Sequence, residues 1–433
     1  MILRLLKYLL LLATGLLITL LIVLFAPPLF RRFAIYPEIE MQVKEFQKLR
    51  KEPVSSTRLK FYRGVLHVHS YWSHDSEGTL ADIVPAAISD NIDFIFLTDH
   101  PRGDIDTLPR GYNGLYEKVL IVPGSEKQGF DAWPLKSTII DWSLNKDSIA
   151  KNIVENGGIV FYAHPEEDHN WDNKWYQGME IYNFHADTKD EFLLPHIANF
   201  INNGRKYPQW SFREMFDEQT AILARWDSLN TKRKIVGFSA VDTHENQSIR
   251  ARFIKDGRIE WVGPNANIID TTRVRFWNEW LLHPPDKSGW ILKWRIDTYK
   301  EGFRYITNYV LADALSVASL SDNIKKGHLY TAFMSLGDAG GFMFNCTDQN
   351  DKVCGIMGDS VAFDKIKSFC AVSPLPGQFR LLHDGTVVDT SSFANYEYKW
   401  AEMIERGAYR IEVHIKIRNK ELPWVYSNPI YIY

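Results

Sequence analysis

The 433-residue chain has only three cysteines, Cys346, Cys354 and Cys370, all in its last quarter. No thiolate cluster is therefore available for a structural Cys-type zinc site. An odd number also excludes a fully paired disulfide set within one chain. Cys346 and Cys354 can pair across a loop in an oxidising compartment, or all three can remain buried thiols. The Gly-x-Ser-x-Gly elbow and the Gly-rich P-loop are both missing, so serine-hydrolase and NTPase readings lose support. Net charge is only −3, which gives no global pull toward nucleic acid. Neither an internal repeat nor a low-complexity tract is present.

Apolar residues are plentiful. The chain is 45% hydrophobic and 14% aromatic, enough for a sizeable core and more than one domain. From Tyr8 to Phe30 no residue is charged. That stretch can cross a hydrocarbon core of roughly 30 Å at ~1.5 Å per residue. It is longer than the apolar region of a signal peptide, and Ala26-Pro27-Pro28 is a poor cleavage site. Residues 8–30 are therefore expected to be an uncleaved single-pass anchor. Arg4 and Lys7 before it nearly balance Arg31 and Arg32 after it. The bulk of the chain is expected outside the cytoplasm.

Residues 33–60 have partly helical spacing (Val43, Phe46, Leu49) and suggest a stalk or lead-in helix. From residue 61 to 328 short apolar runs alternate with helical patterns, as in a mainly parallel α/β fold. Within this region residues 187–234 and 246–327 give helical patterns, expected as outer helices and insertions. Ser316–Lys326 before Gly327 marks a last helix. After 329 the period switches to two. Tyr409, Ile411, Val413, Ile415 and Ile417 alternate with Arg410, Glu412, His414 and Lys416, predicting a half-buried strand. Asp384-Gly385 predicts a hairpin. A β-sandwich over 329–433 is expected.

Chemistry gathers where the apolar runs end. Gly64–Leu66 leads into His67 and His69, then His74 and Asp75. Phe94–Leu97 leads to Asp99 and His100, Val119–Val122 to Glu126, and Ile159–Tyr162 to His164. Met179–Tyr182 leads to His185, and Ile235–Phe238 to Asp242 and His244. Histidines at i and i+2 on a strand share one face. Neutral imidazole mixed with carboxylate suits divalent ions such as Mn, Zn or Fe. The set is too large for one ion, so two or three, bridged by a carboxylate, are expected. Such ions lower the pKa of bound water to about 7 and provide a hydroxide nucleophile without a protein nucleophile.

In this order, His67-x-His69, Ser-His-Asp75-Ser-x-Gly-Thr, Thr98-Asp99-His100, Gly124-Ser-Glu126, Ala163-His164-Pro165 and Asp242-x-His244 resemble the motifs of the PHP (polymerase and histidinol phosphatase) family. The segment from Trp424 to Tyr431 resembles the end of secreted-type members with a C-terminal β domain. The resemblance implies an α/β fold, a distorted (β/α)7 barrel, and a metal-dependent phosphoesterase acting on a mono- or diester. It implies that His67, His69, Glu126 and Asp242 hold one ion, with Glu126 bridging. Asp75 and His100 join Glu126 on a second, and His164, His244 and His185 are the candidates for a third.

Asp99 is expected to orient a ligand imidazole. Arg102 suits a non-bridging phosphate oxygen, or is simply a loop arginine in water. Glu126, Asp242 and Arg102 are thus the residues expected to bear most directly on the reaction. Trp171, Trp175 and Tyr176 line a substrate pocket or pack internally. The expected substrate is a phosphorylated small molecule, sugar or lipid; the charge balance leans away from polynucleotides. Two other readings stay open: a membrane-tethered binding or scaffold protein with a structural metal site, and a metal-dependent amide hydrolase.

Overall fold

The chain opens as a helical rod. α1 (Ile2–Phe30) runs through a π turn at Arg31–Ile35 into α2 (Tyr36–Gln47). The rod is long and apolar enough to span a membrane or to serve as a signal sequence, and none of its most apolar window is covered by the rest of the protein. At α2 this changes: Tyr36 and Val43 are buried, and the Tyr36 hydroxyl accepts a hydrogen bond from Asn199 at 2.9 Å. The computed structural model describes residues 2–53, 57–103, 111–135, 139–190, 194–245, 247–263, 267–276, 278–279, 282–286 and 289–433.

Beyond the rod, the molecule is mixed α/β. Among the described residues the strands that follow are β1 (Lys60–Val68), β2 (Phe94–Leu97), β3 (Gly114–Tyr116), β4 (Val119–Val122), β5 (Ser125–Lys127), β6 (Phe130–Trp133), β7 (Ile159–Tyr162), β8 (Gly178–Asn183) and β9 (Val236–Thr243). The helices among them are α3 (Leu80–Ser89), α4 (Lys146–Glu155), α5 (Phe184–Asp190), α6 (Leu194–Asn203), α7 (Pro208–Arg213) and α8 (Thr220–Asn230). Thr79 and Asp82 form a capping box that starts α3, and Asn145 caps α4. Parallel ladders join β4 to β2, β2 to β1, β1 to β9, β9 to β8 and β8 to β7. β6 runs antiparallel to β7, and β5 to β6. A parallel bridge from Asp99 to Ser125 ties the end of β2 to β5. β2, β4, β7 and β8 are buried at every residue, as strands covered on both faces must be.

Residues 246–327 correct the helical expectation. β10 (Gln247–Phe253), β11 (Ile259–Val262), β12 (Ile268–Thr272) and β13 (Trp290–Asp297) form a separate antiparallel sheet in the order β12-β11-β10-β13. Ile249, Ala251 and Phe253 alternate with Arg250 and Arg252, a period of two masked by the density of arginine and aromatics. Among the described residues of this region, the α-helices are α9 (Tyr299–Tyr305) and α10 (Val317–Lys326), both after the sheet. α10 is capped by Ser316 and stopped by Gly327 at φ 76°, matching its sequence signals. Between them β14 (Ile306–Ala312) lies antiparallel to β1.

The remaining strands are β15 (Leu329–Phe333), β16 (Met343–Thr347), β17 (Val353–Ile356), β18 (Ser360–Val361), β19 (Ser368–His383), β20 (Thr386–Thr390), β21 (Asn395–Trp400), β22 (Gly407–Ile417), β23 (Lys420–Ser427) and β24 (Ile430–Ile432). β19 is shared. Its first half pairs with β16 and β21, its second half with β20 and β22. Asp384 (φ 47°) and Gly385 (φ 82°) make the hairpin between β19 and β20. β22 is not half-buried. Arg410, Glu412 and His414 are buried as well as the apolar residues between them, because this face packs onto α8 through Asp227.

All three cysteines are free thiols, with Cys346 buried. The Cys346 and Cys354 sulfurs lie 3.3 Å apart across the β16–β17 pair. Mild oxidation of the folded protein should join them, read as a mass lower by two hydrogens. The closed loop is short, so the thermal stabilisation should be modest, about 2–3 kcal/mol from loop closure. Retention of both thiols after oxidant treatment would contradict this.

Candidate metal centre

Irregular backbone at strand ends builds the site. The β1 ladders with β2 and β9 both shift register between Leu66 and Val68, which makes His67 a bulged residue. His67 (φ 60°), His164 (φ 49°) and Asp242 (φ 49°) are all in the left-handed region, uncommon for side chains other than glycine. Simple alternation along β1 would have set His67 and His69 in parallel. The bulge instead brings their Nε2 atoms to 3.2 Å.

Carboxylates converge on the same point. His67 Nε2 lies 3.1 Å from Glu126 Oε2 and 3.2 Å from Asp242 Oδ1. His69 Nε2 lies 3.3 Å and 3.2 Å from the same two oxygens. Glu126 also reaches His100 (3.5 Å) through Oε2 and His164 (3.3 Å) through Oε1. On one side Asp75 Oδ2 is 3.3 Å from both His100 Nε2 and His244 Nε2. Two ligand groups result, His67–His69–Glu126–Asp242 and His69–Asp75–His100–His244, each with one ligand atom per residue and all within 4.8 Å of one another.

Three observations show that these residues fit divalent ions. The first is spacing: two ligand atoms bonded at ~2.05 Å with tetrahedral angles stand about 3.3 Å apart. The second is orientation. All five imidazoles have Nδ1 tied elsewhere and present Nε2 to the centre. His67 Nδ1 meets Glu180 at 2.5 Å, His69 meets Ser73 at 3.3 Å and His164 meets Glu166 at 3.2 Å. His100 and His244 meet the carbonyl oxygens of Glu126 and Asp242, each at 2.9 Å. Such outer partners fix the tautomer that leaves the Nε2 lone pair free.

The third is charge. Burial disfavours protonated imidazole, yet the surrounding carboxylates outweigh it. They hold His67 well above the usual histidine range, His100 up to about 9 and His164 up to about 12. The centre is a pocket of negative potential that favours cations. It opens into a cavity of ≈ 520 Å³ lined by Asp75, His100, Glu126, His164, Asp242 and His244 among others.

His185 lines the same cavity, its ring 5.3 Å from that of His244, but it belongs to none of the compact ligand groups. His244 lies with Asp75 and His100, not with His164 as the resemblance grouped it. Asp99 does not orient an imidazole: its two oxygens accept from the Ser70 N–H (2.6 Å) and hydroxyl (2.8 Å) and so brace the loop after His69. Arg102 is exposed and does not line the cavity. Trp171 and Tyr176 pack on Tyr162 and likewise do not line it.

Sequence reasoning missed two buried carboxylates beneath the centre. Glu180 accepts from His67 Nδ1 and, through Oε2, from the His164 amide at 2.9 Å and the Asn183 side chain at 3.1 Å. Asp131 lies 3.4 Å from the same His67 nitrogen, and neither of its oxygens has a hydrogen-bond partner. Burial pushes the Asp131 carboxyl well above the ordinary range. The signal was a carboxylate inside an otherwise apolar strand, Met179-Glu180-Ile181 and Phe130-Asp131-Ala132. A further group, Glu218–Glu412–His414, has partners already: Tyr426 donates to Glu218, while Arg410 and His414 engage Glu412.

No family model and no curated protein matches the sequence. Among solved structures, the chain is similar to a two-domain protein from Bacteroides vulgatus ATCC 8482 described as containing a predicted PHP-like metal-dependent phosphoesterase. The two share 13% sequence identity with a TM-score of 0.36, over 87% of this chain and 98% of that one. The chain's own residues therefore carry the functional reading: buried clusters of histidine and carboxylate that can hold metal ions at the mouth of a cavity.

Proposed function

We propose that this chain is a divalent-metal-dependent phosphoesterase of the PHP type, with α1 as a membrane anchor and the catalytic part outside the cytoplasm. The single observation behind this reading is the convergence of five inward Nε2 atoms on Asp75, Glu126 and Asp242 at an open cavity. The circuit of ladders β1, β2, β4 with β5, β6, β7, β8 and β9 supports a distorted seven-stranded barrel over 61–328. The sharing of β19 between two sets of strands supports a β-sandwich over 329–433.

When bound, Mn, Zn or Fe ions supply Lewis-acid polarisation of a phosphoryl oxygen and lower the pKa of a coordinated water to about 7. His67, His69, Glu126 and Asp242 would hold one ion, and Asp75, His100 and His244 a second. His164, 3.3 Å from the other Glu126 oxygen, would be the residue to hold a third. Glu126 is the shared carboxylate because its two oxygens face different imidazoles. Asn183 donates to Asp242 Oδ2 at 3.3 Å and keeps that carboxylate turned inward. Water adds to phosphorus, the ester oxygen leaves as the alcohol with a proton from that water, and phosphate or a phosphomonoester remains.

The test uses the full chain in detergent with p-nitrophenyl phosphate and bis(p-nitrophenyl) phosphate. Chelation should abolish release of nitrophenol, and Mn²⁺ or Zn²⁺ should restore it. A folded chain that binds no divalent metal by elemental analysis overturns the proposal.

A further inference from the structure

The rod leaves its apolar stretch against α6 (Leu194–Asn203). Asn203 donates to the Pro28 carbonyl at 3.0 Å, and Arg32 donates to the Asn202 carbonyl. Both contacts place the end of α6 at the end of the apolar stretch. α6 is amphipathic: Ala198, Asn199, Phe200 and Asn203 are buried. Leu194 and Ile201, two turns apart on one face, are 68% and 61% exposed. Phe30 and Phe33 on the rod are 63% and 75% exposed. Arg205, in the turn that follows α6, is exposed as well. Exposed apolar side chains on a helix with a cation just past its end suit a helix lying in a bilayer interface with the charge toward headgroups.

α6 and the rod connect to the cavity wall through their neighbours. α5 contributes His185, Ala186 and Asp187 to the lining, and Gln219 and Ile222 adjoin them. Phe184 of α5 and Phe200 of α6 both pack on Phe212, each at 4.9 Å between ring centres. Arg31, where the rod emerges, pairs with Glu214 at 3.0 Å. Five residues later Gln219 lines the cavity, so the two lie at most about 18 Å apart along the chain.

We infer that α6, with Phe30 and Phe33, rests in the bilayer that α1 enters, and that the substrate is a phosphoester carried on a lipid headgroup of that same bilayer. This rests on the phosphoesterase reading. Its occupant is the lipid surface continuous with α1, and the chemistry recognised is a headgroup phosphoryl presented beside α5. A free phosphoester of the same headgroup reaches the cavity without help from α6.

The test reconstitutes the full chain in phosphatidylcholine vesicles doped with phosphatidic acid, a monoester, or phosphatidylglycerol, a diester. Soluble glycerol 3-phosphate and glycerophosphoglycerol are the matched free esters, with Mn²⁺ present throughout. The vesicle-borne ester should turn over faster than its soluble counterpart. The double variant Leu194→Asp/Ile201→Asp should keep soluble turnover and lose about tenfold or more on vesicles, since each side chain withdrawn from lipid forfeits a full aliphatic burial. If that variant does not fold, Leu194→Ser/Ile201→Ser replaces it. Equal turnover of free and vesicle-borne ester, or a double variant as active on vesicles as the parent, overturns the inference and leaves the phosphoesterase intact. Hydrolysis of no ester at all overturns both.

Discussion

Glu126→Gln should emerge from purification with fewer bound divalent ions than the parent and with hydrolysis of p-nitrophenyl esters reduced about a thousandfold. The amide keeps the shape of the side chain but removes its charge. Glu126 faces four imidazoles, His67 at 3.1 Å, His69 at 3.3 Å, His164 at 3.3 Å and His100 at 3.5 Å. Its oxygens reach imidazoles of both ligand groups, His67 and His69 in one and His100 in the other, so losing its charge weakens the hold on ions across the centre. Lewis-acid stabilisation by a metal amounts to several kcal/mol, and each ~1.4 kcal/mol is tenfold in rate. Elemental analysis and turnover should fall together. A Glu126→Gln protein with full metal content and parental turnover would place the chemistry elsewhere in the molecule.

The second large effect concerns stability. Arg410 on β22 is fully enclosed and bidentate with Asp227 of α8, at 2.6 Å and 2.8 Å, while its third nitrogen meets Glu412 at 2.5 Å. Arg410→Ala should cost about 3–5 kcal/mol, because two carboxylates are then left buried without their cation. The triple variant Asp227→Leu/Arg410→Met/Glu412→Leu should recover much of this loss, since well-packed apolar groups often replace such networks at little cost.

Acid should narrow the difference between parent and Arg410→Ala. Burial by itself would raise the Glu412 carboxyl, but Arg410 and His414 outweigh it and hold it at about 2. A carboxyl depressed in the folded state stabilises fully above its unfolded value, ~4.3, and loses that contribution as pH falls toward 2. Thermal unfolding of both proteins in detergent, at neutral pH and near pH 3, checks the sign. A gap that widened on acidification would show that Arg410 acts by some route other than this pairing.

Much of the site was legible because parallel strands deliver functional side chains at their C-terminal ends. His67, His69, His100, Glu126, His164, Asp242 and His244 each follow an apolar run in the sequence and meet in space. Glu180 and Asp131 were hidden because they lie inside such runs, where pattern reading sees only the apolar neighbours. Asp99 sits beside His100 in sequence, yet its oxygens turn to Ser70, a contact decided by the loop after His69. The sheet at 247–297 was lost because arginines at alternate positions look like a solvated helix face. β22 was read as half-exposed because Arg410, Glu412 and His414 are polar. Only tertiary packing against α8 reveals that they satisfy one another out of water.

The join between the apolar rod and the body has one more consequence. Helical turns continue from Ile2 to Gln47, and Tyr36 is already locked against Asn199. A floppy tether would let an enzyme roam a hemisphere above its attachment point. With α1 in a bilayer, as proposed, a stiff stem would hold the mouth of the cavity at one altitude, and diffusion would become a sweep across a plane. Encounter frequency then depends on how many target molecules share that layer and hardly on how many float in the volume above it.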